Sequence, residues 1–414
     1  MHSARLNVSV VTLAVLSALL LVAARPATAQ TETVLYNFAG PPDGAAPQSN
    51  LTPDGMGNFY GTTQEGGVFG TVFELSPNGS GGWNETVLYR FCSEGGASCT
   101  DGSYPDGNLV FDSAGNLYGT TSEGGSTCVV SEGCGVVFEL SPVGRNWTET
   151  VIYSFCPDGD CMPLGGFPLP GLVIDPAGNL YGTDNEGVFE LSPSGGGWTG
   201  QVISHNAENP LSGLAMDASG NIFTIAPSST TGKPTVFEVS PSGKGRWNTT
   251  GLYTFSSIPS GTFIWSSPTL DQAGNIYGTE TAWYNVRRKP LNFRGTVYKL
   301  SLGESGWTKK ILFTFTPDDS EVQGNAPSGG IVLDAAGNIY GTTIQGGTNG
   351  LGTVFELVAP VGKSKKYEEQ VLWSFNGGDG SQPLGGLILD AGNFYGTTSA
   401  GGLSGNGVVF EVIP

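Results

Sequence analysis

The sequence predicts an all-β protein, a seven-bladed β-propeller of four-stranded blades whose ring is closed by the N-terminal strand. Three observations carry that expectation. One motif recurs seven times, four strand-like segments accompany each recurrence, and a lone strand-like segment at the start matches one missing from the end.

The motif is a version of Gly-Asn-Leu-Tyr-Gly-Thr, centred on Tyr60, Tyr118, Tyr181, Phe223, Tyr277, Tyr340 and Tyr395. Self-similarity at a few tens of residues marks units that cannot bury their apolar faces alone and must stack on neighbours. In the second copy the four segments are Gly107–Asp112, Asn116–Thr121, Val136–Leu140 and Thr150–Phe155. Each is rich in β-branched and aromatic residues and bounded by Gly, Pro, Asn or Ser, which favours short strands between tight turns. Beyond the first 29 residues no amphipathic helical pattern appears, and 66 glycines and 26 prolines leave the chain to strands and turns.

The first two segments are joined by Asp-x-x-Gly-Asn, beginning at Asp112, Asp175, Asp217, Asp271 and Asp334. An aspartate there caps a tight turn while Gly and Asn tolerate positive φ. A calcium loop is the functional alternative, but the pattern lacks alternating acids and a closing glutamate. Fourth segments follow at Val87–Phe91, Val151–Phe155, Val202–Asn206, Leu252–Phe255, Ile311–Phe315 and Val371–Phe375. The seventh stands at the beginning, Thr33–Phe38. Pairing it with the last blade would hide edges that otherwise invite aggregation.

Residues 1–29 read as a signal peptide: Arg5, an apolar stretch from Val8 to Ala24, then Ala27-Thr28-Ala29. Residues 30–414 are then a single propeller domain with no membrane span. Removing the signal leaves 15 basic against 36 acidic residues, a charge of −21. That field disfavours nucleic acid and anionic membrane surfaces. His205 is the only histidine beyond the signal, so imidazole-dependent nucleophilic and zinc chemistry has little to work with. No cofactor and no metal are expected. Six cysteines fall in three close pairs, Cys92 with Cys99, Cys128 with Cys134 and Cys156 with Cys161, and export makes local disulfides the default.

Gly-Asn-Leu-Tyr-Gly-Thr-Thr, Gly-Thr-Val-Phe-Glu-Leu-Ser-Pro and Thr-Val-Leu-Tyr-x-Phe together resemble the GloVer, or choice-of-anchor, tandem-repeat family of secreted bacterial β-propeller-like proteins. The resemblance covers nearly all of the chain after the signal. It implies a secreted or surface-associated propeller of unassigned biochemical activity and carries over no catalytic residue. Relatives often end in an anchoring segment, a pattern that the stretch up to Pro414 does not match.

Function is sought where the repeat is broken. The loop of the fifth blade replaces Thr-Thr-x-x-Gly-Gly with residues 279–294, which include Trp283, Tyr284, Arg287, Arg288 and Arg294; Trp265 lies just before the first strand of that blade. Aromatic faces beside guanidinium groups suit a carboxylated or sulfated sugar or another planar anion. The structural alternative is that the arginines pair with acidic loops nearby. Trp83, Trp147, Trp198, Trp247 and Trp307 recur before strand four, as a sugar-binding ladder or as packing. The leading expectation is a monomeric, secreted or periplasmic binding module for a carbohydrate or an extracellular or periplasmic protein. The alternative is a carbohydrate-active hydrolase or lyase using acidic residues such as Glu123 and Glu132, or Asp158 and Asp160, on the loop face.

Overall fold

The computed structural model describes residues 30–93, 99–125, 134–156, 164–255, 262–264, 266–284, 292–315, 323–362 and 364–414, with backbone only at 262–263, 282–284 and 292–294. Seven antiparallel sheets form a seven-bladed β-propeller. Blade 2 is the pattern: Ser103–Phe111, Leu117–Glu123, Val136–Val143 and Asn146–Ser154, running outward from the axis. Blades 5 and 6 each add a short fifth segment, Thr262–Phe263 and Gly324–Pro327, beside their second strands.

Ring closure follows the expectation. Thr31–Asn37 pairs antiparallel with Val408–Ile413 as the outer strand of blade 7, from Thr31 opposite Ile413 to Asn37 opposite Val408. Thr397 Oγ1 of blade 7 then donates to the Ser49 carbonyl of blade 1, 3.0 Å away. The two ends of the chain are thus bonded through both main chain and side chain.

Each residue of the repeat has a packing reason. The glycine after the tyrosine lies under the strand-three aromatic: a Cβ on Gly119 would sit 2.5 Å from Phe138 Cζ, and one on Gly61 2.7 Å from Phe73 Cζ. The next threonine reaches the inner segment of the following blade, as Thr342 does to the Gly385 carbonyl at 3.1 Å. The second threonine bonds across its own hairpin, Thr63 to Thr71 at 2.7 Å and Thr343 to Thr353 at 2.8 Å. The glycine before strand three takes positive φ and lies against the proline of the next blade, with a Cβ on Gly70 only 2.3 Å from Pro105 Cδ.

Strand four ends on a phenylalanine that meets the strand-three ring of the next blade edge-on. Phe91 lies 5.0 Å from Phe138, Phe155 5.5 Å from Phe189 and Phe375 5.1 Å from Phe410. Such pairs add about 0.5–1.5 kcal/mol beyond area burial. A register shift at the same point of strands three and four recurs in all seven blades, as between Val72 and Phe73 and between Val354 and Phe355. The bulge lets both leucine and valine of Val-Leu-Tyr meet packed surfaces.

Blade 4 breaks two of these rules together. Thr224 stands where the glycine is expected, and Gly251 replaces the strand-four valine; both pair in register with Phe237. Space lost on one side of the ring is recovered on the other.

The Asp-x-x-Gly-Asn turns are caps. Asp112 Oδ1 accepts the Ala114 and Asn116 amides at 2.8 and 2.9 Å, and its Oδ2 accepts Asn116 Nδ2 at 2.8 Å. Burial acts to raise the Asp112 pKa, but these bonds and the Tyr118 hydroxyl hold it below the ordinary carboxylate value.

Candidate functional site

Neighbouring strands are antiparallel, so the loop from strand four to the next strand one and the hairpin between strands two and three lie at the same end of every blade. At that end the innermost segments surround an axial cavity of about 610 Å³. Glycines recur in this wall where the segments pack side by side around the axis. A Cβ on Gly107 would lie 2.1 Å from the Gly171 nitrogen, and one on Gly385 2.7 Å from the Ser49 carbonyl oxygen. Gln48, Asp106, Leu169, Leu211, Ser328 and Leu384 occupy one repeat position around this wall. Polar side chains on blades 1, 2 and 6 and leucines on blades 3, 4 and 7 therefore share the wall.

Asp106 is the one carboxyl among the described lining residues, which include no Lys, Arg or His. Burial pushes its pKa up, against the Gly107 amide, which donates to Oδ1 at 2.9 Å. Among the described residues no group of three His, Cys, Asp or Glu side chains is arranged to hold a metal ion.

Two residues before that position, six blades carry a residue with left-handed backbone: Ala46, Tyr104, Phe167, Asn209, Ala326 and Gln382. The proline that follows each leaves this residue to make the turn, and its amide clamps the preceding hairpin. Tyr104 N donates to the Phe69 carbonyl at 2.8 Å, and Phe167 N to the Cys134 carbonyl at 2.9 Å. Tyr104 is half-buried, its ring 5.4 Å from Phe69 and edge-on, while Phe167 is 45% exposed. Sequence reading passed over both; the signal was a bulky aromatic before a repeated proline.

Cys92 and Cys99 form the expected disulfide, S–S 2.01 Å, in the loop leading to Tyr104. Cys134 and Cys156 are also disulfide-bonded, while Cys128 and Cys161 lie outside the described residues. Both Cys134 and Cys156 approach Gly166, the residue before Phe167; their sulfurs would lie 3.3 and 3.0 Å from a Cβ there.

Blade 5 extends its hairpin. In blade 1 the strand two–three pairing stops at Thr63 with Thr71, whereas blade 5 continues through Trp283 with Phe293 to Tyr284 with Asn292. Trp283, Tyr284 and Arg294 therefore lie in strands, with side chains outside the description; Trp265, Arg287 and Arg288 lie outside the described residues altogether. The neighbours of Trp265, Ser266 to Thr269, line the axial cavity. Glu132, Asp158 and Asp160 also fall outside the described residues.

The described part of the blade carries its own charge reversal. Lys309 pairs with the largely buried Glu280 and lies over the rings of Phe255 and Tyr298, 4.9 and 5.2 Å from their centroids. Lys299 lies 3.6 Å from Asp271.

The tryptophan ladder is packing. Trp147 meets Tyr60, Trp198 meets Tyr118 and Trp247 meets Tyr181 across successive blade boundaries, with ring centroids 5.6 to 6.2 Å apart. The exposed His205 lies 4.0 Å from the Glu186 carboxylate.

The fold and its repeated side-chain contacts define a closed propeller of the tandem-repeat class. The chain belongs to the Gloeobacter/Verrucomicrobia repeat family, whose model matches residues 20–188 and 184–410. Comparison with the curated proteins found no match. Among solved structures it is similar to virginiamycin B lyase from Staphylococcus aureus, at 12% identity over 93% of this chain and 99% of that one, with a TM-score of 0.53. It is also similar to an ulvan lyase of polysaccharide lyase family PL25 bound to -[GlcA(1-4)Rha3S]-, at 12% identity over 81% and 86%, with a TM-score of 0.51. At these identities the likeness is one of fold.

Proposed function

We propose that this protein is an extracytoplasmic binding module whose loop face holds a carbohydrate. The axial cavity supports this reading most: a preformed concavity that mixes hydroxyl, amide and aliphatic groups suits a ligand whose own surface combines hydroxyls with C–H faces. Export after cleavage of residues 1–29 accords with the Cys92–Cys99 disulfide.

The alternative, a carbohydrate-active hydrolase or lyase, asks for more than the described wall supplies. Hydrolysis of a glycosidic bond commonly uses two facing carboxyls, and the described lining residues include one, Asp106. Binding needs no second carboxyl. The blade 5 hairpin, with Trp265, Trp283, Tyr284, Arg287, Arg288 and Arg294, is the proposed contact for an anionic portion of such a ligand, or for an acidic protein partner.

A glycan array probed with residues 30–414, read in parallel with chromatography of each bound glycan, tests the reading. Retained and chemically unchanged glycans are expected. Cleaved products would replace the binding reading with the enzymatic one, and an array without signal would leave the carbohydrate assignment without foundation.

A further inference from the structure

Four features of the loop face converge on one quadrant. Tyr104 and Phe167 occupy the same position in adjacent blades, each two residues before a segment that lines the cavity. Both are aromatic at a left-handed backbone position that Asn209, Ala46 and Ala326 fill elsewhere, so neither bulk nor aromaticity is needed for the turn. A bulky residue with positive φ is a backbone outlier and costs more than Asn would. Phe167 nevertheless leaves much of its ring exposed.

The third feature is the position of the cysteines. All six lie between residues 92 and 161, and the described ones sit in the loops that hold these two residues. Cys92–Cys99 closes the loop entering Tyr104, the Cys134 carbonyl accepts the Phe167 amide, and Cys156 lies in the loop entering Phe167. Staples of this kind fix loop geometry before a ligand arrives and reduce the ordering cost of binding.

The fourth is polarity. Two residues below Tyr104 the cavity wall presents Asp106, followed by the exposed amide of Asn108; below Phe167 it presents Leu169. No described cation lines this wall.

From these we infer that the disulfide-stapled rim over blades 2 and 3 is a subsite for a neutral pyranose, with Tyr104 and Phe167 as platforms for its C–H faces and Asp106 and Asn108 as partners for its hydroxyls. The inference rests on the carbohydrate reading above and adds a place and a ligand class to it. A uronate or sulfated unit is disfavoured here, because the one charged side chain among the described lining residues is a carboxyl, in an acidic molecule. Aromatic rings with a polar partner alongside bind a sugar through an apolar body and an oriented hydroxyl edge.

The test is calorimetric titration of residues 30–414 with neutral cello-, manno-, xylo- and malto-hexaose, and with an oligogalacturonate of the same length. Tyr104→Asn/Phe167→Asn keeps a residue suited to positive φ, as Asn209 shows. That variant is expected to melt like the parent and to lose at least tenfold in affinity for the neutral hexaose that binds. Tyr104→Phe/Phe167→Tyr is expected to stay within about threefold, since the platforms remain. Unchanged affinity in the Asn variant, or equal loss in the Phe/Tyr variant, overturns the subsite while leaving carbohydrate binding in place. Binding of the oligogalacturonate alone overturns the ligand class, and no binding by any probe removes the carbohydrate reading and this inference together.

Discussion

Blade 5 and the rim over blades 2 and 3 both depart from the repeat, in opposite ways. In blade 5 the departure is conspicuous: seven basic against three acidic residues lie between 256 and 315, in a chain that is otherwise strongly acidic. Much of its described charge is spent internally, Lys309 on Glu280 and Lys299 on Asp271. At the rim the departure is two aromatic residues where alanine or asparagine would turn the chain, held by stapled loops, Tyr104 half-buried and Phe167 exposed. Deviation that is answered by a compensating change nearby is structural; deviation that costs backbone strain and remains exposed is the better guide to function.

The largest expected effect bears on the ring that supports both regions. Removing residues 30–38 takes away the outer strand of blade 7 and Phe38, which lies 5.2 Å from Phe73 of blade 1. A chain beginning at Ala39 should lose its cooperative thermal transition. An unchanged melting curve would show that closure contributes nothing.

Next comes the compensated charge of blade 5. Lys309→Met leaves Glu280 buried without its cation and is expected to cost about 3 kcal/mol in chemical denaturation. If the cost is near zero, the Thr296 hydroxyl, which donates to Glu280 Oε2 at 2.8 Å, suffices for the carboxylate and the contrast with the rim weakens. Reducing Cys92–Cys99 should cost about 2–3 kcal/mol by chain entropy for so short a loop, and should also weaken glycan binding. A matching reduction in stability without any change in affinity would separate the staple from the site.

Gly251→Val is expected to cost about 1–3 kcal/mol by overpacking Phe237, and adding Thr224→Gly should recover most of it. Additive losses in the double variant would refute the exchange of space across that ring.

pH acts on the outer strands of blades 7, 1 and 2. Glu32, Glu85 and Glu149 fill equivalent outer-strand positions, each with a buried Oε1 lacking a hydrogen-bond partner. Burial, and then the carboxyls of Asp379, Asp43 and Asp101 respectively, push their pKa values up to about 8, about 7 and about 7; Arg90 opposes the shift at Glu85. Folding raises these values, so the folded state binds more protons over this range. Their contribution is full below the ordinary carboxyl range and is lost as pH rises through about 7 to 8. Midpoints of denaturation should therefore fall between pH 5 and pH 9, and the fall should shrink in Glu32→Gln/Glu85→Gln/Glu149→Gln. The smallest effect is expected from Trp283, Tyr284, Arg287 and Arg288 replaced together by alanine, at about 0.5 kcal/mol or less each, with binding of anionic ligands lost.

The propeller was legible because nearly every repeated residue has one packing duty. Tyr-Gly-Thr-Thr encodes a cap contact, a close approach, an inter-blade tether and a hairpin bond, so its recurrence is the recurrence of a blade. The lone Thr33–Phe38 segment made closure a matter of counting strands. The rim was not legible in that way. Tyr104 and Phe167 stand at a position whose identity varies, and only the positive φ shared by six blades shows that an aromatic there is a departure. The cysteine pairs were visible, but not that they surround these two residues.

The most direct test of the account is a crystal structure of residues 30–414 with the neutral hexaose that binds in solution. The account predicts a pyranose ring stacked against Tyr104 or Phe167 at the mouth of the axial cavity, with a hydroxyl within hydrogen-bonding distance of Asp106 or Asn108. A glycan seated instead on the blade 5 hairpin, with the rim over blades 2 and 3 empty, would contradict it.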